Sequence, residues 1–253
     1  MNHTDWVLVT GAAHRLGREI ALAFAAAGWD VLCHYRASLA GAEGTQAAVR
    51  ALGRECLLVP ADLALPDAAG QLLQQCVAVT GRAPRCIVNN ASIFEADDAR
   101  TASAQGLGMH FLANTATPLL LGNALHTWLC AQGQATAGRY SVVHVLDQKV
   151  HNLNPDYFSY TVSKLALERS VALQAQALAP MVRVCGLSPG LLYLSGPQTQ
   201  DNFDRASQVN LLRRGIDPAD VARAAVFMAE NASLTGCTLQ ADNGQHLVPL
   251  ARD

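Results

Sequence analysis

The sequence predicts an α/β fold: one domain over residues 1–253, built on a doubly wound parallel sheet of about seven strands with helices on both faces. Short valine-rich apolar runs alternate with helical patterns along the chain, as in parallel strands joined by right-handed crossovers. The composition is 51% hydrophobic and 15% charged, which suits strands that are buried on both faces. A length of 253 residues fits one such domain with a large core.

The first strand and the helix after it are the clearest elements. Residues 5–10 form an apolar run that Gly11 ends, and apolar residues then recur at helical spacing over 16–28. Later strands are predicted near 30–35, 55–60, 85–89, 139–146, 182–187 and 237–241, and later helices at 39–52, 67–80, 102–131, 157–179 and 218–230. The remaining long stretch, 190–216 with Gly196 and Pro197, is expected to be an irregular lid over the pocket.

The turn between the first strand and the first helix reads TGAAHRLG. Gly11 and Gly17 frame a tight turn, with small residues at Ala12 and Ala13. Backbone N–H groups at the start of a helix, reinforced by the helix dipole, can bind a pyrophosphate. A strand, a glycine turn and a helix in this order predict a dinucleotide site, because a plain βα turn would not explain this set of small residues.

The second strand ends in VLCHYRAS, without an acidic residue. An Asp or Glu at this place hydrogen-bonds the adenosine ribose 2′-OH and selects NAD, whereas an Arg receives a 2′-phosphate. His34, Tyr35, Arg36 and Ser38 can supply a cation and hydroxyl donors. We therefore expect NADPH as the cofactor, although Arg36 by itself could be only an exposed charge at a strand end.

Tyr160 and Lys164 stand at positions i and i+4 of a predicted helix, so they share one face about a turn apart. Tyrosine ionises near ~10 and is a poor proton donor or acceptor at neutral pH. A nearby cation favours the phenolate, and a pKa shift of ~3 units needs only about 4 kcal/mol. The pair predicts an acid that delivers a proton to a carbonyl or imine; a solvated Lys beside a packed Tyr is the alternative.

Together these segments resemble the short-chain dehydrogenase/reductase family along nearly the whole chain. The motifs, in order, are Thr10-Gly11 with Gly17, Asp62-Leu63, Asn89-Asn90-Ala91, Asn114, Tyr160-Lys164 and Ser188-Pro189-Gly190. The resemblance implies a Rossmann-type fold, hydride chemistry and a homotetramer formed through the helices at 102–131 and 157–179. The cofactor-binding residues it implies, with those at the second strand, are Gly11, Arg15, Leu16, Gly17, His34, Tyr35, Arg36, Ser38, Asp62, Leu63, Asn90, Ala91, Ser92, Tyr160, Lys164, Pro189 and Gly190.

The chain departs from the ordinary family pattern in three places. The catalytic serine thirteen residues before Tyr160 is Asp147, Arg15 replaces the middle glycine of the turn, and the fourth-strand loop reads NNASIF with Ser92 and Phe94. An ionised carboxylate cannot donate a hydrogen bond to a ketone oxygen and would repel a developing oxyanion. Asp147 therefore fits a substrate with N–H donors, or proton delivery if burial raises its pKa.

These departures resemble the pteridine reductase branch, which includes dihydromonapterin reductases. The resemblance implies a pterin stacked on Phe94 and contacted by Arg15 and Ser92, with Asp147, Tyr160, Lys164 and Asn114 as the catalytic set. Asp147 and Tyr160 would relay protons to ring nitrogens, and Lys164 would hold the nicotinamide ribose and bias Tyr160 toward ionisation. The expected reaction converts a dihydropterin, such as dihydromonapterin or dihydrobiopterin, to its tetrahydro form.

Two other functions are compatible with the fold. One is a carbonyl reductase of ketone or acyl substrates, against which Asp147 argues. The other is a non-catalytic NADPH-binding regulator, against which the intact Tyr160, Lys164 and Asn114 argue. Asp147 could also mark a degenerate, inactive site.

Composition and charge exclude several classes of partner and compartment. The net charge is −2 without a basic stripe, so no nucleic-acid partner is expected. No apolar run reaches the length of a membrane span, and the first strand begins too early to leave room for a signal peptide. Seven scattered cysteines without a C-x-x-C pair indicate reduced thiols in the cytoplasm, with neither a disulfide framework nor a metal site.

Overall fold

Seven parallel strands form one sheet in the computed structural model, which describes residues 4–133, 137–194 and 198–249. The strands are β1 Trp6–Val9, β2 Asp30–Tyr35, β3 Cys56–Pro60, β4 Cys86–Asn89, β5 Tyr140–Val145, β6 Val182–Pro189 and β7 Thr238–Ala241. Their order across the sheet is β3-β2-β1-β4-β5-β6-β7. The predicted doubly wound parallel sheet is confirmed, and every strand end lies within about two residues of its predicted position.

Helices connect the strands on both faces. They are α1 Arg15–Ala26, α2 Leu39–Ala51, α3 Ala68–Thr80, α4 Ala104–Phe111, α5 Thr117–Ala131, α6 Phe158–Leu178, α7 Gln200–Ala206 and α8 Pro218–Glu230. Short 3-10 turns span Gln148–Val150 and Gln245–Leu247. The continuous helix predicted over 102–131 is wrong in one respect, because a π-helical turn, Leu112–Ala116, separates α4 from α5.

The stretch predicted to be irregular, 190–216, contains the helix α7. Thr199 caps this helix by accepting a hydrogen bond from the Asn202 N–H at 3.3 Å. No residue of α7 is buried, so the segment lacks the apolar periodicity by which a helix is recognised in a sequence. Ser195, Gly196 and Pro197 of the predicted lid lie outside the described residues.

The residues of β1 alternate between two different cores. Val7 and Val9 of β1 pack with α1, α2 and α8 on one face of the sheet. Trp6 and Leu8 pack with α3, α5 and α6 on the other face. All four residues are buried, which explains why β1 reads as an uninterrupted apolar run.

The chain winds outward in both directions from the centre of the sheet. β1 leads to β2 and β3 on one side, whereas β4 lies on the other side of β1 and leads to β5, β6 and β7. Loops that leave the carboxyl ends of β1 and β4 therefore diverge, and a ligand crevice forms at this switch point. The loops after β1, β4, β5 and β6 carry the candidate site. No helix among the described residues is long and apolar enough to cross a membrane.

Candidate active site

The glycine turn after β1 is tied to the loop after β4. Thr10 Oγ1 accepts hydrogen bonds from the Asn90 N–H at 2.9 Å and from the Ala91 N–H at 3.0 Å. The Asn90 side-chain amide donates to the Thr10 carbonyl at 2.9 Å. Gly11 adopts φ +65°, where glycine has no steric penalty. The two loops thus form one rigid unit at the switch point.

Gly17 is required by the packing of this unit. A Cβ at position 17 would lie 2.1 Å from the Gly11 carbonyl oxygen and 2.6 Å from the Asn90 side-chain nitrogen. The turn can therefore close directly onto the start of α1. The side chain of Leu16 is buried, so this residue can offer a cofactor only its backbone N–H. The first N–H groups of a helix have no intrahelical acceptor, so those of α1 can bind an anion.

Arg15 keeps the backbone conformation of the glycine that it replaces. Its φ is +49°, in the left-handed region that an arginine adopts only at a cost. The guanidinium donates to the Leu194 carbonyl at 3.4 Å and lies 5.9 Å from the centroid of the Tyr193 ring. Arg15 is exposed and links the glycine turn to the segment after β6.

His34 has a different role from the predicted one. It is buried, Nδ1 accepts from the Gly11 N–H at 3.0 Å, and Nε2 lies 3.1 Å from the Ala61 carbonyl. Because a carbonyl only accepts, Nε2 carries the proton and the ring is neutral. Burial lowers the pKa of His34 to about 4. His34 therefore supports the glycine turn from behind, and the prediction that it can supply a cation is wrong.

The rest of the β2 terminus faces outward. Arg36 is exposed, and Ser38 Oγ lies 2.7 Å from Nε2 of the exposed His14 in the glycine turn. Tyr35 is half-buried and packs against the core. Arg36 thus remains the predicted cation at the end of β2, with Ser38 beside the turn.

Two further predicted contacts lie on either side of the crevice. The Asp62 carboxylate accepts from the Ala64 N–H at 3.0 Å, and the buried Leu63 accepts a bond from Thr117 Oγ1 at 2.9 Å through its carbonyl. At the end of β6, a Cβ on Gly190 would lie 2.5 Å from Ile216. A side chain at position 190 would therefore have to displace the end of the Ile216 side chain. Ser92 is exposed in the loop after β4.

The predicted catalytic residues Asp147 and Tyr160 lie just after β5 and near the start of α6. The Tyr160 hydroxyl donates to Asp147 Oδ2 at 2.9 Å, and Asp147 Oδ1 accepts from the Lys149 N–H at 2.9 Å. Ser188 Oγ holds the Asp147 carbonyl from β6 at 2.7 Å. The family resemblance implied this Asp–Tyr pair, and the structure brings the two side chains into direct contact.

Lys164 lies one turn further along α6. It is buried, its ammonium donates to the Val145 carbonyl at 2.7 Å, and it stands 5.7 Å from the centroid of the Tyr160 ring. Burial lowers the pKa of Lys164 to about 8, and the Asp147 carboxylate opposes this shift. Lys164 therefore reaches the site without bonding the phenol.

The pKa of Tyr160 moves in the opposite direction from the one that Lys164 alone predicts. Burial raises it well above 10, and the adjacent Asp147 carboxylate raises it further. Burial also raises the pKa of Asp147, against the hydrogen bonds from Lys149 and Tyr160. Burial is the larger cause and the Asp147 carboxylate, in place of serine, the second, so the surroundings of Tyr160 favour the neutral hydroxyl over the phenolate that Lys164 alone predicts. The hydroxyl therefore stands as a hydrogen-bond donor to Asp147.

Phe94 lies against this pair. Its ring centroid is 4.6 Å from that of Tyr160, with the rings edge to face, and 4.1 Å from that of Tyr157, with the rings stacked at 14°. Tyr157 adopts φ +56°, and the Lys149 ammonium lies 5.2 Å from its ring centroid. Sequence reasoning missed Tyr157 and Lys149. The one available signal was the run of aromatic residues DYFSY just before Lys164.

Asn114 is placed by the π-helical turn. Its side-chain oxygen accepts from the Ile93 N–H at 2.8 Å, and its nitrogen donates to the Ile93 carbonyl at 2.9 Å and to Ser163 Oγ at 3.0 Å. Asn114 thus binds the segment that carries Phe94 and touches α6 at the same time. Its side chain is not in hydrogen-bond contact with Tyr160 or Lys164 within the described structure.

The site thus contains the hydrogen-bonded phenol of Tyr160 and carboxyl of Asp147, the buried ammonium of Lys164 and the partly exposed ring of Phe94. These groups lie beside the crevice at the switch point of the sheet. A family model described as enoyl-(acyl carrier protein) reductase matches residues 11–246. The chain belongs to the short-chain dehydrogenase/reductase family. It is accordingly an oxidoreductase, and the resemblance drawn from its motifs is confirmed.

Relatives within the short-chain dehydrogenase/reductase family cover almost the whole chain. An uncharacterized oxidoreductase of Mycobacterium tuberculosis is 33% identical over 243 residues, 94% of this chain and 90% of that protein. Dihydromonapterin reductase of Escherichia coli is 25% identical over 241 residues, 95% of this chain and 96% of that protein. The crystal structure of FolM alternative dihydrofolate reductase 1 from Brucella canis, complexed with NADP, matches with a TM-score of 0.89 and 33% identity, covering 98% of this chain and 96% of that chain. The predicted likeness to the pteridine reductase branch is thus confirmed.

Proposed function

We propose that the protein is an NADPH-dependent reductase that converts a dihydropterin to its tetrahydro form. The observation that carries the proposal is the 2.9 Å hydrogen bond between Tyr160 and Asp147, with Phe94 packed against the tyrosine ring. Reduction of a ring C=N bond needs a hydride at carbon and a proton at nitrogen. A proton held between the Tyr160 phenol and the Asp147 carboxyl can be delivered to the ring nitrogen. A ketone oxygen instead needs a hydrogen-bond donor where Asp147 stands. The names of the relatives in Escherichia coli and Brucella canis support this substrate class.

Each side chain of the centre has a distinct part in the proposed reaction. Tyr160 and Asp147 pass one proton to the ring nitrogen, and Lys164 holds the nicotinamide ribose and offsets the negative charge of Asp147. Phe94 stacks on the flat heteroaromatic ring, which is worth about 0.5–1.5 kcal/mol beyond burial and fixes the orientation of the ring. Arg15 and Ser92 contact the bound ligands. NADPH supplies the hydride when it is bound.

The residues present fit NADPH. The Gly11–Gly17 turn closes so tightly on α1 that a Cβ at position 17 would collide, which leaves the helix N–H groups open to a pyrophosphate. The β2 terminus offers Arg36 and Ser38 and no carboxylate, which favours a 2′-phosphate over a free 2′-hydroxyl. The NADP complex of the Brucella canis relative supports the same cofactor.

Replacing Arg36 tests the cofactor preference. We expect the wild-type protein to prefer NADPH to NADH by at least about tenfold in kcat/KM, since two charged contacts to a 2′-phosphate exceed ~1.4 kcal/mol. Arg36→Asp is expected to abolish or reverse that preference. Steady-state kinetics with both cofactors measures it. Arg54→Asp, the same charge change at the amino-terminal end of β3, is the matched control, and equal use of NADPH and NADH by the wild type would contradict the assignment.

A panel of substrates tests the reaction itself. NADPH oxidation is followed with dihydromonapterin, dihydrobiopterin and dihydrofolate beside a set of simple ketones. We expect ready turnover of at least one dihydropterin and little turnover of ketones. Turnover of ketones without turnover or binding of any pterin would instead identify a carbonyl reductase, and cofactor binding without any turnover would identify a regulator.

The assembly and compartment belong to the same proposal. We expect a homotetramer because exposed apolar side chains lie on the helices predicted to form the interfaces, namely Met109, Phe111, Leu120, Val162 and Leu173. Light scattering measures the mass of the assembly.

We place the protein in the cytoplasm because all seven of its cysteines are free thiols, and cell fractionation checks that placement.

A further inference from the structure

The segment that carries Phe94 has no regular secondary structure and is held from one side by the helix that runs beneath it. Asn114 pairs with both the N–H and the carbonyl of Ile93, at 2.8 and 2.9 Å. One helical turn earlier, His110 Nε2 accepts from the Glu95 N–H at 3.4 Å. His110 and Asn114 stand at i and i+4 and share a face. The two side chains therefore grip the backbone immediately before and immediately after Phe94.

The hydrogen bonds of His110 define its state. The side chain is 2% exposed, and Nδ1 lies 2.9 Å from the Gly106 carbonyl. A carbonyl only accepts, so Nδ1 carries the proton, and Nε2 is then left as an acceptor for the Glu95 N–H. An apolar side chain of similar size would fill the space in α4 but could not accept that bond. His110 thus fills space in the core and also accepts a hydrogen bond from the loop that carries Phe94.

We propose that His110 is a positioning residue for the substrate, which acts by fixing the segment Ile93 to Glu95 and with it the plane of the Phe94 ring. The inference rests on the proposed function, in which a pterin stacks on that ring. One face of Phe94 already packs on Tyr157, and its ring meets Tyr160 edge to face. Small rotations of the backbone at position 94 would therefore misalign the substrate relative to the Tyr160 hydroxyl. His110 touches neither substrate nor cofactor in this scheme.

Hydrogen exchange tests the contact without any substrate. In His110→Leu, the Glu95 amide loses its acceptor, so its exchange should be at least about tenfold faster than in the wild type. His110→Gln keeps an acceptor oxygen on a side chain of similar length and should restore most of the protection. Exchange mass spectrometry with fragmentation over residues 91–99 resolves this amide from that of Ile93, which Asn114 still protects. Unchanged exchange at Glu95 in His110→Leu overturns the proposal.

Kinetics then tests the consequence for binding. His110→Leu should raise KM for the dihydropterin by up to about tenfold, because a displaced Phe94 ring loses the stacking contact that helps to hold the pterin. The Kd for NADPH should stay within about twofold, since the cofactor crevice is built on Thr10 and Asn90. His110→Gln should recover most of the wild-type KM. His126→Leu, on the neighbouring helix α5, is the matched histidine control and should leave KM unchanged.

A double-mutant cycle separates positioning from a general loss of packing. If His110 acts through Phe94, adding His110→Leu to Phe94→Ala should raise KM no further. An equal increase of KM in both backgrounds overturns the proposal. Absence of dihydropterin turnover in the wild type would defeat the proposed function alone, because the exchange result still decides whether His110 holds the loop.

Discussion

Tyr160→Phe is expected to lower kcat for dihydropterin reduction by about a hundredfold to ten-thousandfold, the range in which a positioned proton donor contributes. The variant keeps the ring that packs edge to face on Phe94 and removes only the hydroxyl that donates to Asp147 at 2.9 Å. The Kd for NADPH should therefore change little, within about threefold, because the glycine turn and Lys164 remain in place. Stopped-flow turnover and fluorescence titration with NADPH measure the two quantities separately.

A second tyrosine gives the control for Tyr160→Phe. Tyr140 is buried at the start of β5, at the amino-terminal end of the strands and away from the site at their carboxyl ends, and Tyr140→Phe removes a hydroxyl there. Activity per folded molecule should stay close to that of the wild type. If Tyr160→Phe retains most of the wild-type kcat, the proton comes from another group, and Asp147 becomes the first residue to examine.

Much of the fold and of the site could be predicted from local sequence. Strands that are buried on both faces have continuous apolar sequences, so β1 and β5 can be recognised from the sequence without knowledge of the strands beside them. The tight turn needs glycine at position 17 because a Cβ would clash with Gly11 and Asn90, so the glycine itself indicates the turn in the sequence. The proximity of Asp147 and Tyr160, by contrast, was implied only by the family resemblance, which places Asp147 where the family has its catalytic serine.

The remaining features depend on tertiary partners that a sequence does not reveal. His34 sits next to Arg36 in the chain, yet it faces inward to Gly11 and Ala61, and only the packed structure decides between the two directions. The left-handed backbone at Tyr157 and the π-helical turn at Asn114 break local rules. Such breaks are concentrated at functional sites, where the surrounding structure imposes them.

The direction of the pKa shift of Tyr160 also depends on tertiary structure that the sequence does not reveal. Lys164 alone would favour ionisation, and its position on the same helical face was predicted correctly. The sign of the net shift depends on burial and on the Asp147 carboxylate, which together raise the pKa. A pairwise argument from i and i+4 spacing contains neither of these contributions.

Replacing Asp147 should change the choice of substrate as well as the rate. Asp147→Ser is expected to lower kcat/KM for the dihydropterin by at least about tenfold, because the carboxyl that shares the Tyr160 proton is lost. It should also create measurable reduction of simple ketones, since a hydroxyl can donate to a carbonyl oxygen. Removing the carboxylate takes away one of the causes that raise the pKa of Tyr160, which favours its action on a developing alkoxide. The substrate panel measures both changes, and a serine variant with unaltered pterin kinetics would show that Asp147 has no part in the reaction.

The pH profile distinguishes a proton-delivering Asp147 from one that only binds N–H groups. Burial raises the pKa of Asp147, so the carboxyl stays protonated above its ordinary range and loses its proton as the pH rises through the raised value. If the pair works with that proton, kcat for the dihydropterin falls over the same pH interval, and the apparent pKa belongs to Asp147 and Tyr160 jointly. Asp147→Asn keeps the size of the side chain and an acceptor for the Lys149 N–H but cannot titrate, so this limb of the profile should disappear. A profile that is identical in Asp147→Asn would assign the limb to another group and restrict Asp147 to binding.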